Sequence, residues 1–131
     1  VVGGPNTRKD YHVDEGEEFF YQLEGNMTLR IMENNKPKDI NINEGEIFLL
    51  SAKIPHSPQR FKNTIGLVIE RKRTKMELDG FQWYCDSCNT LLYEKFFSLT
   101  NIEKDLPPVF DTFWENIESR TCSSCGDILE K

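Results

Sequence analysis

Glycine, asparagine and proline cut the first half of this chain into short pieces, and that punctuation limits the fold more than any other feature. Gly3-Gly4-Pro5-Asn6, Gly25-Asn26, Asn34-Asn35-Lys36-Pro37 and Asn43-Glu44-Gly45 are turn signals, and Lys62-Asn63 interrupts a further run. Between them lie short segments rich in Phe, Tyr, Ile and Leu, at 18–24, 27–32, 46–50 and 65–71, with Ile40 and Ile42 alternating with polar residues and a strand expected to begin at Arg60-Phe61. None of them carries a helical period. An all-β sandwich or barrel of antiparallel strands is the expected fold class. Val1-Val2 reads as the end of a strand, so the sequence is expected to begin inside a fold, with a preceding segment absent.

Composition narrows the function. A net charge of −6 and a pI of about 5.0 leave no basic block to neutralise phosphates, so nucleic acid is not expected as a partner. The densest basic run, Glu70-Arg71-Lys72-Arg73-Thr74-Lys75, reads as a solvated strand end. No apolar run is long enough for a membrane span and no signal peptide opens the chain, so the expected location is cytoplasmic.

The chain has only two histidines, and each sits in a turn-bounded stretch. His12 lies six positions before Glu18, and Gly25 closes the strand that Glu18 opens; Gly45 lies eleven positions before His56. Two neutral imidazoles and one carboxylate on one face form a triad suited to non-haem Fe(II), leaving positions open for a chelating substrate and dioxygen. His12, Glu18 and His56 are therefore read as a metal site inside a small barrel. Glu17 competes with Glu18 for the ligand role, and Glu18 is preferred for its even spacing from His12.

After Lys75 the character changes. Phe81-Gln82-Trp83-Tyr84 leads into a first C-x-x-C, residues 91–99 contain a strand-like stretch, and Pro107-Pro108 is expected to open a helix. Phe110, Phe113, Trp114 and Ile117 recur on it at helical spacing, which reads as packing against the barrel. The domains expected are a barrel over 1–80 and a C-terminal segment over 81–131. Cys85 and Cys88, a gap of 33 residues, then Cys122 and Cys125 give two C-x2-C pairs, a strong signal for a tetrahedral thiolate centre holding zinc or iron in a structural role. Two disulfides are the alternative. Asn89 and Gly126 are expected to take left-handed turns beside the sulfurs.

The two histidine stretches resemble the cupin motifs G-x5-H-x-H-x3,4-E-x6-G and G-x5-P-x-G-x2-H-x3-N. Asp14 stands at the position of a second histidine, and Ser51, Lys53 and Arg60 replace Pro, Gly and Asn. More closely, Val2-Gly3-Gly4-Pro5-Asn6, Asp10-Tyr11-His12, Glu18-Phe19-Phe20-Tyr21-Gln22, His56-Ser57-Pro58-Gln59-Arg60, Val68-Ile69-Glu70-Arg71, Trp83-Tyr84-Cys85, Asp105-Leu106-Pro107-Pro108 and the second C-x-x-C resemble the 3-hydroxyanthranilate 3,4-dioxygenase family. That resemblance implies ring cleavage of 3-hydroxyanthranilate by Fe(II) and O2 to 2-amino-3-carboxymuconate semialdehyde, which cyclises to quinolinate on the route to NAD. It also implies a homodimer, a rubredoxin-like cysteine site, and a few dozen further N-terminal residues.

For such a substrate, hydroxyl and amine can chelate the iron while the carboxylate needs a cationic clamp. Arg8 and Arg60 are placed to supply it, and Glu70 is placed to accept from, or take a proton from, the amine. A non-catalytic cupin that binds a small carboxylate or a protein is the alternative from another class.

Overall fold

A computed structural model describes residues 1–131. Ten strands run β1 (Val2–Gly3), β2 (Asp10–Val13), β3 (Glu18–Glu24), β4 (Met27–Glu33), β5 (Lys36–Ile42), β6 (Ile47–Leu50), β7 (His56–Arg60), β8 (Ile65–Glu70), β9 (Asp79–Tyr84) and β10 (Leu91–Phe97). Two helices follow, α1 (Ile102–Glu115) and α2 (Ile117–Arg120). The strands form a four-stranded sheet in the order β1-β8-β3-β6 and a six-stranded sheet in the order β10-β9-β2-β7-β4-β5. Every pairing is antiparallel. The antiparallel all-β class expected from the turn punctuation and the cupin-like architecture implied by the resemblance are what the chain adopts, with the small helical element and the cysteine cluster at its C-terminal end.

Period-two alternation decides which side chains meet between the sheets. Phe20 from β3, Leu29 and Ile31 from β4, Ile42 from β5 and Leu50 from β6 form one buried cluster with Met27. Asn34 and Asn35 join β4 to β5 with φ of 53° and 62°, the two positive angles a tight hairpin turn needs. Pro37 lies in β5 at the edge of its sheet, where its missing N–H costs no ladder bond. Gly25, at φ +70°, turns β3 into β4, and a Cβ there would meet the Thr64 methyl at 2.7 Å.

Three local expectations need correction. The strand read as starting at Arg60-Phe61 is β7, which ends at Arg60, because His12 and Met27 draw His56 to Arg60 into pairing with β2 and β4. Helix α1 begins five residues before Pro107, with both prolines inside it. Asn101 caps it by accepting from the Lys104 N–H, and the Asp105 carboxylate accepts from the Thr100 and Asn101 N–H groups, so a start signal overrode the prolines. Ile117 does not share the packed face: Asn116 leaves helical geometry and Ile117, in α2, is 55 % exposed. Phe113 is fully buried and stacks on Trp83 of β9 at 4.3 Å, forming a second core with Phe81 and Leu129.

Candidate metal and substrate site

Strand register builds this site from two cross-strand pairs. His12 lies opposite His56 where β2 meets β7 in the larger sheet. Glu18 lies opposite Glu70 where β3 meets β8 in the smaller sheet. The sheets face each other, so the histidine pair looks across at the carboxylate pair.

Hydrogen bonds orient both rings. His12 Nε2 lies 2.6 Å from Asp79 Oδ2, and His56 Nδ1 lies 2.9 Å from the Ile54 carbonyl. A carboxylate and a carbonyl can only accept, so these nitrogens donate. The remaining nitrogens, His12 Nδ1 and His56 Nε2, turn toward Glu18: His12 Nδ1 is 3.7 Å from its Oε1, and His56 Nε2 touches its Oε2. Phe81 covers the face of His12, rings stacked at 4.9 Å. Glu18 is buried, whereas Glu17 is exposed, so geometry separates the two candidates.

Glu18 Oε2 is buried without a satisfactory hydrogen bond despite its contact with His56. A proton on His56 Nε2 or a metal cation could satisfy it, and the two compete for the same lone pairs. Burial pushes the Glu18 carboxyl up, but His56, His12 and Arg73 outweigh that and hold it below its ordinary value. Three ligand atoms of His12, Glu18 and His56 lie within 4.8 Å of one another, an N,N,O set that fits a divalent transition metal. Asp14, at the position of the missing histidine, is buried and accepts from the Gly16 N–H, shaping its own loop.

A cavity of about 360 Å³ opens onto these ligands and is also lined by Arg8, Arg60, Glu70 and Arg73. The two arginines differ. Arg8 is already bidentate to Asp10, at 2.5 and 3.3 Å. Arg60 is buried, with only a 3.5 Å contact from its Nη1 to the Gln22 side-chain oxygen. Its guanidinium pairs with no carboxylate, and burial lowers the Arg60 pKa while the nearby Arg8 charge lowers it further. Gly66 makes room for it: a Cβ there would sit 2.6 Å from Arg60 Nη1. Glu70 is shifted the other way, its carboxyl raised by burial, by the Glu18 charge and by Asp14.

Two residues escaped the sequence reading. Asp79 is fully buried and holds His12; its only sequence signal was an acid opening an aromatic strand. Arg73 belongs to the run read as solvated, yet its side chain turns inward to Asp79 and Glu70. The corrected reading is that only part of that run faces solvent.

The four cysteines converge elsewhere, at the end of β9 and beyond α2. Cys85 and Cys125 sulfurs are 3.6 Å apart and Cys88 and Cys122 sulfurs 3.5 Å, near the ~3.8 Å edge of a tetrahedron with ~2.3 Å metal–sulfur bonds. Asn89 and Gly126 have φ of 64° and 81°, the left-handed turns expected there. The N–H groups of Cys125 and Ser124 point at Cys122 Sγ, and the Cys125 N–H in particular draws that thiol down to about 6.

Two sheets closing over a His, His, Glu cluster, with a four-cysteine cluster beside them, define a cupin-like protein with candidate metal centres. The sequence comparisons are narrower. A family model described as 3-hydroxyanthranilic acid dioxygenase matches residues 1–114, and this chain belongs to that family. It is 58 % identical over 128 residues to 3-hydroxyanthranilate 3,4-dioxygenase of Xanthomonas euvesicatoria pv. vesicatoria, covering 98 % of this chain and 73 % of that one. It is 55 % identical over 130 residues to the Bos taurus enzyme of the same name, covering 99 % of this chain and 46 % of that one. Among solved structures it is similar to hydroxypropylphosphonic acid epoxidase from S. wedmorenis, at 19 % identity and TM-score 0.44 over 53 % of this chain and 38 % of that one.

Proposed function

We propose that this chain is a ring-cleaving dioxygenase acting on 3-hydroxyanthranilate, with His12, Glu18 and His56 holding Fe(II). The observation that carries the reading is a single cavity in which the triad faces Arg60, a buried cation without an anion. A carboxylate-bearing substrate satisfies that cation while its hydroxyl and amine face the triad. When bound, the iron supplies dioxygen activation, and both atoms of one O2 enter the product, 2-amino-3-carboxymuconate semialdehyde. The bond broken joins the hydroxyl-bearing carbon to its unsubstituted neighbour; the first becomes a carboxyl group and the second an aldehyde, so no further reductant is needed.

The chain's own residues do the rest. Arg60 takes the substrate carboxylate directly, and Arg8, shared with Asp10, supports it. Glu70, raised in pKa and facing the cavity, accepts the proton or hydrogen bond of the amine. Phe20, Val68 and Phe81 supply apolar cavity walls around the ring. We assign Cys85, Cys88, Cys122 and Cys125 to a second, structural iron or zinc, and take the assembly to be a cytoplasmic homodimer. No helix is long and apolar enough to cross a membrane.

The experiment is anaerobic loading with Fe(II), then mixing with 3-hydroxyanthranilate and oxygen. Stoichiometric oxygen uptake with loss of the substrate is expected. Iron-loaded protein that consumes no oxygen would instead favour a binding module.

A further inference from the structure

Arg73 sits at the junction of two groups of side chains that the proposed function treats separately. Its Nε donates to Asp79 Oδ1 at 2.5 Å and its Nη2 to Asp79 Oδ2 at 2.7 Å, a two-point grip on one carboxylate. Asp79 Oδ2 is also the atom that receives His12 Nε2–H, at 2.6 Å. The same Nη2 of Arg73 donates to Glu70 Oε2 at 2.8 Å and lies 3.8 Å from Asp14 Oδ2. One guanidinium thus touches the carboxylate that orients a ligand ring and the carboxylate that faces the substrate.

We propose that Arg73 is a positioning residue that sets His12 for the metal, through Asp79, and Glu70 for the substrate. The inference rests on the dioxygenase reading for its substrate half and on the metal triad alone for its other half. Asp79 is fully buried, and a buried carboxylate held by a single imidazole would be free to rotate. The planar fork of Arg73 fixes its plane, and with it the direction of His12 Nδ1. Asp14, Glu18 and Glu70 crowd together, with ligand atoms within 4.8 Å. Arg73 is the cation between these acids, and without it Glu70 would swing away from Glu18. A lysine offers one ammonium on a flexible stem and cannot grip Asp79 at two points while reaching Glu70.

The test measures two quantities on each variant with the cysteine site already filled. One is the Fe(II) dissociation constant of the barrel site, by competition with a chromophoric chelator. The other is KM for 3-hydroxyanthranilate at saturating iron. Asp79→Asn should weaken iron about 10–100-fold with KM unchanged. Glu70→Gln should raise KM with iron affinity unchanged. Arg73→Ala should do both, and Arg73→Lys should restore neither fully. In the Asp79→Asn background, Arg73→Ala should weaken iron little further yet still raise KM, a pattern that general loosening of the fold does not give. Wild-type iron affinity or wild-type KM in Arg73→Ala overturns the proposal; if that variant does not fold, the same result in Arg73→Lys does so. If wild-type protein consumes no oxygen with this substrate, the dioxygenase reading falls, and the iron measurements still judge the Arg73–Asp79–His12 connection.

Discussion

Arg60 and Arg8 look alike in sequence and differ in what surrounds them. Arg8 shares its charge with Asp10, while Arg60 is buried without a counter-charge. Removing one partner of a buried charge pair costs about 2–5 kcal/mol, and roughly 1.4 kcal/mol is tenfold in affinity. Arg60→Ala should therefore raise KM for 3-hydroxyanthranilate tenfold or more with iron retained, and Arg8→Ala should raise it less. With 2-aminophenol, which lacks the carboxylate, the Arg60→Ala protein should lose little relative to wild type. An equal loss on both compounds would assign Arg60 to the fold. His12→Ala, Glu18→Ala and His56→Ala should each lose barrel-site iron, read by metal analysis, with far-ultraviolet circular dichroism unchanged, because the strands do not depend on these side chains for their pairing.

Elements carry the next set of effects, through their ends and knuckles. Asp105 accepts from the Asn101 N–H first and the Thr100 N–H second, and both hold its pKa below the ordinary 3.8. A depressed carboxyl contributes stability that is complete above the unfolded value and fades as pH falls through the folded one. Asp105→Asn should thus unfold more readily than wild type at pH 7, and the two melting curves should converge well below pH 3.8. At the other end of the tail, each cysteine knuckle closes on its own backbone: Cys85 N–H donates to Thr90 and Cys122 N–H to Asp127, both at 2.8 Å. Metal bound there ties β9 to the residues after α2, and its binding energy is partly folding energy. Cys122→Ser should lower the melting temperature markedly while leaving substrate turnover at saturating iron close to wild type. An unchanged melting temperature would remove the structural role.

The whole molecule holds two apolar clusters joined through one sheet. The barrel cluster centres on Phe20 and Leu29, and the tail cluster on Trp83 and Phe113. Strands β9 and β10 continue the barrel's larger sheet, and β9 runs across the boundary, bringing Asp79 from the barrel side and Phe81 from the tail to the site. We propose the division into 1–80 and 81–131 as a division of cores, not of sheets. Phe113→Ala removes a fully buried ring and should cost about 3–5 kcal/mol, measured by chemical denaturation. Iron should still load at His12, Glu18 and His56, since all three lie on barrel strands.

Local chemistry decided what could be read from sequence. Turn residues and period-two alternation fixed the β class; the rarity of histidine singled out His12 and His56; the C-x2-C spacing singled out the cysteines. Each of these signals is contained in a residue type or in a stretch of a few residues, so it can be read before the chain folds. Arg73 and Asp79 carried no such signal. Arg73 sits in a basic run, and only the path of the segment between β8 and β9 turns it inward. Asp79 becomes a partner of His12 only because β9, 67 residues away in sequence, pairs beside β2. The unequal surroundings of Arg8 and Arg60 have a mixed origin: Arg8 finds its counter-charge in Asp10, two residues on, whereas Arg60 is buried beside Gln22, 38 residues away. Burial belongs to the space around a side chain, and long-range strand pairing creates that space.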